Sequence, residues 1–254
     1  MIHYKNEAGI QTITLDTNES NSFNLESFQR FEETILKAKS EKGKALVIRS
    51  SREKVFSTGL DLATISGSAD DAVLRKFLGY FYSILKEIYS YPLPVISEVS
   101  GHAMGYGAMI ALASDFRMGL DGMRIGLPEV KIGIPVPSFV AMLASDVIGY
   151  KNASDHILTG NALKTSEAFT LGMFTEVHPD ATSLKSATDK FVNRLVKNSI
   201  SAMSQTKSAL RKLRKNYEDL INDDIPTTLA SLQSPDAKEG VSASVQGRRP
   251  EFKF

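Results

Sequence analysis

Apolar residues recur along the chain in two rhythms. Ile10 to Leu15 alternates in the manner of a half-covered strand, and the polar run Asp16-Thr17-Asn18-Glu19-Ser20-Asn21-Ser22 marks the turn after it. Leu25, Phe28, Phe31, Ile35 and Leu36 then fall at helical spacing behind a candidate N-cap, Asn24, and Gly43 closes that helix. Ala45-Leu46-Val47-Ile48 is continuously apolar, as a strand covered on both faces is. The order then repeats. Val73, Leu74, Phe77, Phe81, Ile84, Leu85 and Ile88 form a helix face, Pro92 and Pro94 bracket a transition, and Val95 to Val99 reads as a strand. Gly101 to Gly107 reads as a strand-to-helix turn leading into a buried helix over Ala108 to Ala113, followed by a strand at Phe116-Arg117-Met118. Alternating strands and helices predict an α/β fold.

From Ser183 the pattern is helical: Phe191, Leu195 and Val196, then Met203 to Leu213, then Tyr217 to Ile221, ending before Pro226. Residues 1–195 are therefore read as the α/β core, and 196–254 as a helical region that packs on the core or on a neighbouring subunit. The basic string Lys207, Arg211, Lys212, Arg214 and Lys215 is read as a solvated helix face rather than a phosphate site, because Leu210 and Leu213 punctuate it at helical spacing.

Composition narrows the chemistry. The 254 residues are 42% hydrophobic and 23% charged, with 30 Lys+Arg against 29 Asp+Glu, a formal net charge of +1. A near-neutral chain lacks the basic footprint of a nucleic-acid partner. The absence of cysteine excludes disulfides, thiolate metal sites and cysteine nucleophiles. The start, Met1 to Glu7, lacks the charged-then-apolar design of a secretory signal, and no apolar run reaches membrane-spanning length, so a cytoplasmic, membrane-free protein is expected. The four histidines are scattered; His102, beside the glycine segment, is the one within reach of a site, and structural roles are expected for all.

Three segments carry candidate chemistry. Gly101 to Gly107 and Val55 to Leu62 each follow a strand and offer backbone N–H groups. For the glycine segment alone, anion binding and simple close packing weigh equally. Two such turns together suggest a paired-donor site, as a thioester enolate needs for the charge on its oxygen. The third, Ile125 to Pro135, sets the single carboxylate of Glu129 among apolar neighbours, where burial raises its pKa and suits it to proton exchange near neutrality. The alternative for Glu129 is a local ion pair with Lys131 or Arg124.

In this order and spacing the segments resemble the crotonase superfamily of acyl-CoA enzymes, the enoyl-CoA hydratase/isomerase family. The resemblance runs from Thr14-Leu15-Asp16 through Phe56 to Asp61, Gly101 to Asp115, Pro128-Glu129 and Gly133-Ile134-Pro135 to the tail Ser234 to Gly240 and Arg248-Arg249-Pro250. It implies a spiral of repeated ββα units with a C-terminal helical trimerisation region, an acyl-CoA thioester as substrate, and a homotrimer or dimer of trimers. It implies no metal or redox cofactor, coenzyme A being part of the substrate. It assigns the oxyanion donors to the backbone N–H groups of Leu60 and Tyr106, the latter where the family usually has glycine. Ser57, Gly59, Asp61, Leu62 and Gly105 fall on substrate-binding positions, with Asp61 a helix N-cap as its other reading, while Lys253 is read as part of a frayed terminus ahead of its alternative as a neighbour of the CoA phosphates. Residues 65–71 read as a loop at the pocket edge.

Hydratases of the family hold water between two glutamates, and the earlier of these falls on Met109, whose thioether cannot exchange a proton. Family isomerases manage with one carboxylate, at the position of Glu129. The expected activity is therefore a single-glutamate Δ3,Δ2-enoyl-CoA isomerase. The alternatives are a hydratase or another crotonase reaction such as hydrolysis or decarboxylation, and a catalytically silent acyl-CoA-binding homologue.

Overall fold

The computed structural model describes residues 1–63, 71–214 and 216–252. Residues 65–70, Lys215 and Lys253, singled out above, lie outside that set. Two sheets stand at the centre. The larger has six strands in the order β1-β2-β3-β5-β7-β10: β1 (Ile2–Glu7), β2 (Ile10–Leu15), β3 (Ala45–Ser50), β5 (Val95–Val99), β7 (Phe116–Leu120) and β10 (Glu176–His178). All neighbours pair in parallel except β1 and β2. The smaller sheet orders β4 (Lys54–Ser57), β6 (Gly101–Met104), β8 (Arg124–Gly126) and β9 (Leu163–Lys164). The pairs β3/β4, β5/β6 and β7/β8 each send one strand to each sheet before a helix follows, giving the ββα repeat, whereas β1 and β2 both join the larger sheet.

The helices cover the sheets. Helix α1 (Leu25–Ser40) begins at a capping box in which Asn24 and Ser27 satisfy each other's backbone N–H groups, and it buries Phe28, Phe31 and Ile35. It ends at Ser40, three residues before Gly43. Helix α2 (Asp71–Tyr89) packs on α1, and the eight-residue α3 (Tyr106–Ala113) is buried throughout, which its uniformly apolar sequence requires. Then come a 3₁₀ turn (Glu129–Ile132), α4 (Ser138–Ile148), α5 (Tyr150–Thr159), α6 (Thr165–Thr170) and α7 (Ala181–Leu195). Three more helices close the chain: α8 (Ile200–Lys212), α9 (Tyr217–Leu232) and α10 (Pro235–Val245). One core joins Ile13, Phe28, Ile48, Phe81, Ile110 and Phe139; a second, under α7, joins Val47, Ile96, Met118 and Leu184.

Three expectations are corrected. Gly101 to Met104 is strand β6, not part of a turn, and the turn proper is Gly105 alone. Gly101 is glycine because a Cβ there would meet the backbone of Lys54 and Val55 on the paired β4. Helix α9 does not stop before Pro226 but runs through it to Leu232. Tertiary packing holds it: α9 lies on α2 and α4, and its Asp224 carboxylate accepts from the N–H groups of Ser138 and Phe139 at 2.9 and 2.8 Å, capping α4. The basic string is only in part a solvated face: Lys212 and Arg214 are exposed, but Lys207 and Arg211 are turned inward. Lys207 is buried, with its ammonium 2.6 Å from Asp115 and donating to Leu93 O, while Arg211 reaches Asp115 at 2.8 Å and stacks over the Tyr89 ring. Arg214 pairs with Asp146. These cations dock α8 to the core.

Candidate active site

Two loops and the 3₁₀ turn meet at one cavity of about 300 Å³. The first loop leaves β4. Phe23 N–H donates to Gly59 O and Asp61 N–H to Phe23 O, both at 2.9 Å, so Leu60, between them, turns its own N–H to the side away from Phe23. Gly59 has φ +101°, and a Cβ there would stand 3.2 Å from Tyr106 N. Only glycine permits both that conformation and that approach. Ser57 is fully buried: its hydroxyl donates to Asn21 O at 2.7 Å and accepts from Gly59 N–H at 3.1 Å. Ser57 therefore braces the loop from beneath and does not line the cavity.

The second loop is Gly105, with φ +52° and ψ −119°, whose N–H donates to Gly126 O at 2.9 Å. It hands the chain to Tyr106, the first residue of α3. The Tyr106 N–H has no acceptor within its helix and none outside it among the described residues. Behind it, a Cβ on Gly107 would lie 2.8 Å from Ser57 Cβ, so glycine lets α3 close on β4. Two backbone donors are thus carried by loops in direct contact, one at a helix N-terminus where the dipole favours negative charge.

The Tyr106 side chain, a departure from glycine in the family resemblance, points into the core. Its ring packs edge-on against Phe23 and Phe28 and tilts on Phe81 at 4.7 Å between centroids, while its hydroxyl donates to Phe81 O at 2.9 Å. Burial drives its pKa far up, so it stays neutral. One turn on, Met109 lines the same cavity.

Glu129 stands at the start of the 3₁₀ turn and lines the cavity at 9% exposure. Burial pushes its carboxyl up to about 7, partly offset by a hydrogen bond from its own backbone N–H. Its Oε2 has no hydrogen-bond partner. Among the described residues it makes no ion pair: Lys131 donates instead to Asn161 Oδ1 at 2.8 Å, and Arg124 is exposed on β8. An unpaired buried carboxylate aimed into a cavity is costly to keep and marks a group with work to do.

The remaining walls are mostly apolar, from Leu62, Phe77, Leu78 and Phe81 and from Ile134, Pro135 and Leu232, with Lys131 and the hydroxyl residues Thr58, Thr228 and Ser244 also on the lining. Of the substrate positions named from sequence, Gly59, Leu62 and Gly105 line the cavity; Ser57 and Asp61 do not. His102 is structural, its Nδ1 accepting from Arg124 N–H at 3.1 Å. Sequence reading missed Asn21. Its amide donates to Ser50 Oγ at 2.8 Å and to Leu15 O, and its carbonyl takes the Thr17 N–H, from a left-handed backbone at φ +47°. The signal was an asparagine in a polar turn, a residue type that tolerates that conformation. A larger cleft of about 630 Å³ lies beside α8, but the charged groups on its lining are already engaged: Asp115 with Lys207 and Arg211, Asp146 with Arg214, and Arg117 with the carbonyls of Met173 and Ser114.

A family model for enoyl-CoA hydratase/isomerase matches residues 5–254. A carnitinyl-CoA dehydratase of Salmonella arizonae is 30% identical over 251 residues, 96% of this chain and 95% of that protein. A trans-2-decenoyl-[acyl-carrier-protein] isomerase of Streptococcus mutans is 28% identical, covering 99% of this chain and 97% of its own. Among solved structures, human mitochondrial delta3-delta2-enoyl-CoA isomerase superposes with a TM-score of 0.91 at 21% identity, over 97% of each chain. Enoyl-CoA hydratase from Bacillus halodurans does so at 0.88, also at 21% identity, over 95% of this chain and 99% of that one. These superpositions establish the fold, a crotonase fold, and with the family match over nearly its whole length the chain belongs to the enoyl-CoA hydratase/isomerase family.

Proposed function

We propose that the chain is a Δ3,Δ2-enoyl-CoA isomerase that works with one glutamate. The carrying observation is Glu129: a buried carboxylate without an ion partner, facing a cavity whose other candidate acid/base position is Met109. Ionised Glu129 takes a proton from C2 of a 3-enoyl thioester. The electron pair moves into the conjugated system and places negative charge on the thioester oxygen, which the Leu60 and Tyr106 N–H groups receive. Glu129 then returns the same proton at C4 as the double bond settles between C2 and C3. The sequence is redox-neutral and needs one proton carrier. Hydration would need a second group to handle water, and a thioether does not. The relative from Streptococcus mutans, an isomerase by name, supports the same class of reaction.

In this reading Gly59, Leu62 and Gly105 hold the acyl thioester directly, while Ser57 and Asp61 serve the loop that presents Leu60. A homotrimer or dimer of trimers is supported by apolar side chains left outward on α8 and beyond it, Leu210 and Leu213 at 59% and 73% exposure. The test is an ultraviolet assay with 3-enoyl-CoA and 2-enoyl-CoA esters of several lengths. A rise in conjugated-thioester absorbance from the 3-enoyl ester supports isomerisation. A fall with the 2-enoyl ester means hydration and overturns the single-carboxylate reading.

A further inference from the structure

Helix α10 meets the turn that carries Glu129 at two glycines. Gly240 lies so close to Ile132 that a Cβ there would land on Ile132 O and 2.6 Å from Ile132 Cα. Gly133, just past the turn and left-handed at φ +67°, meets Asp236 of α10, whose carbonyl carbon and oxygen would each lie 2.6 Å from an added Cβ. Ala237 and Val241, on the same face of α10, close over Ile134. The held segment is tied directly to the carboxylate residue, because Ile134 N–H donates to Glu129 O at 3.1 Å. Backbone-to-backbone contact at Gly240 transmits any displacement of α10 to the turn, since packed backbones do not compress.

We propose that Gly240 is a positioning residue for Glu129: by seating α10 flush on Ile132 it fixes the 3₁₀ turn, holds the carboxylate inside the cavity, and makes each chain's own C-terminal helix a working part of its site. The inference rests on the isomerase reading only for its kinetic readout. The charge surroundings permit a clean second readout. On the turn itself, Lys131 lines the same cavity and gives its ammonium to Asn161; α10 presents Asp236 over Gly133; α5, on the other side, brings His156, which lines a separate small cavity with Gly126 and Leu127. From α2, α3 and α9 the cavity wall receives Phe77, Leu78, Phe81, Tyr106, Met109, Thr228 and Leu232, of which only the neutral, core-bound Tyr106 titrates. Burial, not a neighbouring charge, is what raises Glu129.

The experiment is a carbon-13 NMR pH titration of glutamate-labelled full-length protein, with the Glu129 signal assigned by its absence in Glu129→Gln, run beside the isomerase assay. In Gly240→Ala the Glu129 titration is expected to move from near 7 toward the ordinary glutamate value of about 4.3 as water reaches the displaced carboxylate. Turnover is expected to fall roughly a hundredfold, with KM little changed. Val241→Ala, which loosens the same seat without a clash, is expected to move both in the same direction by less, and it decides the matter if Gly240→Ala does not fold. Lys238→Gln, on the exposed face of α10, leaves both unchanged. A folded Gly240→Ala, or failing that Val241→Ala, with Glu129 still titrating near 7 and full turnover overturns the proposal. A moved titration in a chain that isomerises no 3-enoyl ester keeps the positioning role and removes the isomerase reading.

Discussion

Glu129 Oε1 lies 3.3 Å from the point at which a side chain on Gly105 would begin. The carboxylate and the residue that launches α3 therefore share one gap, and glycine is what keeps it open. With φ +52° and ψ −119° the backbone of Gly105 is also one that side chains resist. Gly105→Ala is expected to cost about 1–3 kcal/mol of stability through that strain. Activity should fall much further, roughly a hundredfold or more, because Glu129 and the Tyr106 N–H are both displaced. Thermal melts and steady-state kinetics on one preparation check the two effects.

Glu129→Gln keeps the size of the side chain and removes the base. Turnover is expected to drop by about 10²- to 10⁴-fold, with affinity for a CoA ester retained by isothermal titration. Stability responds in the opposite sense. A carboxyl raised from 4.5 to about 7 on folding binds its proton more tightly in the native state, so wild-type stability is whole below the unfolded pKa and declines as pH rises through the folded one. The decline is about 3 kcal/mol, each pKa unit being about 1.4 kcal/mol. The glutamine variant lacks this penalty, so its stability relative to wild type should climb between pH 4.5 and 7 in denaturant titrations.

The same ionisation governs rate. Glu129 must be deprotonated to take the C2 proton, so kcat/KM is expected to rise with pH through about 7 and level off above it. A profile flat across pH 6–8 would assign proton transfer to some other group.

Tyr106 separates backbone from side-chain function. If its N–H is the donor, Tyr106→Phe should leave turnover within about twofold while costing about 1–2 kcal/mol for the lost hydrogen bond to the buried Phe81 carbonyl. Loss of activity in a well-folded Tyr106→Phe would move the role to the hydroxyl.

The readable part of the structure was the part written locally. Asn24 and the Phe28, Phe31, Ile35 stripe specify α1 by capping and periodicity, and the unbroken run from Ala45 specifies a doubly covered strand. Glu129 was legible because a lone carboxylate among apolar residues has one physical consequence, a raised pKa. What escaped depends on distant partners. β6 hides in a glycine segment because its conformation is set by pairing with β4, and α9 passes Pro226 because α2 and α4 hold it. Lys207 looked solvated because the residue that draws it inward, Asp115, lies 92 positions earlier.

That last pair yields a prediction of its own. Asp115 accepts from Val95 N–H at 2.8 Å and pairs with both Lys207 and Arg211, so one carboxylate ties strand β5, the approach to β7 and helix α8. Burial nevertheless wins at Lys207: its ammonium is pushed down to about 8 despite the attraction of Asp115. Asp115→Asn keeps one acceptor oxygen but removes the countercharge from a buried ammonium that otherwise meets only Leu93 O, and is expected to destabilise by about 3–5 kcal/mol at neutral pH. Because the native state holds this proton less tightly than the unfolded chain, raising pH from 8 toward 10.5 relieves the strain, and more so in the variant, where the attraction is gone. Lys207→Met in the Asp115→Asn background should recover part of the loss, since an apolar side chain of similar length fills the site without a charge to desolvate. Denaturant melts of the four proteins in that cycle, at pH 7 and 9.5, measure the coupling. A negligible loss in Asp115→Asn, with no coupling to Lys207→Met, would mean that α8 is docked by its apolar contacts and that the ion pair is incidental.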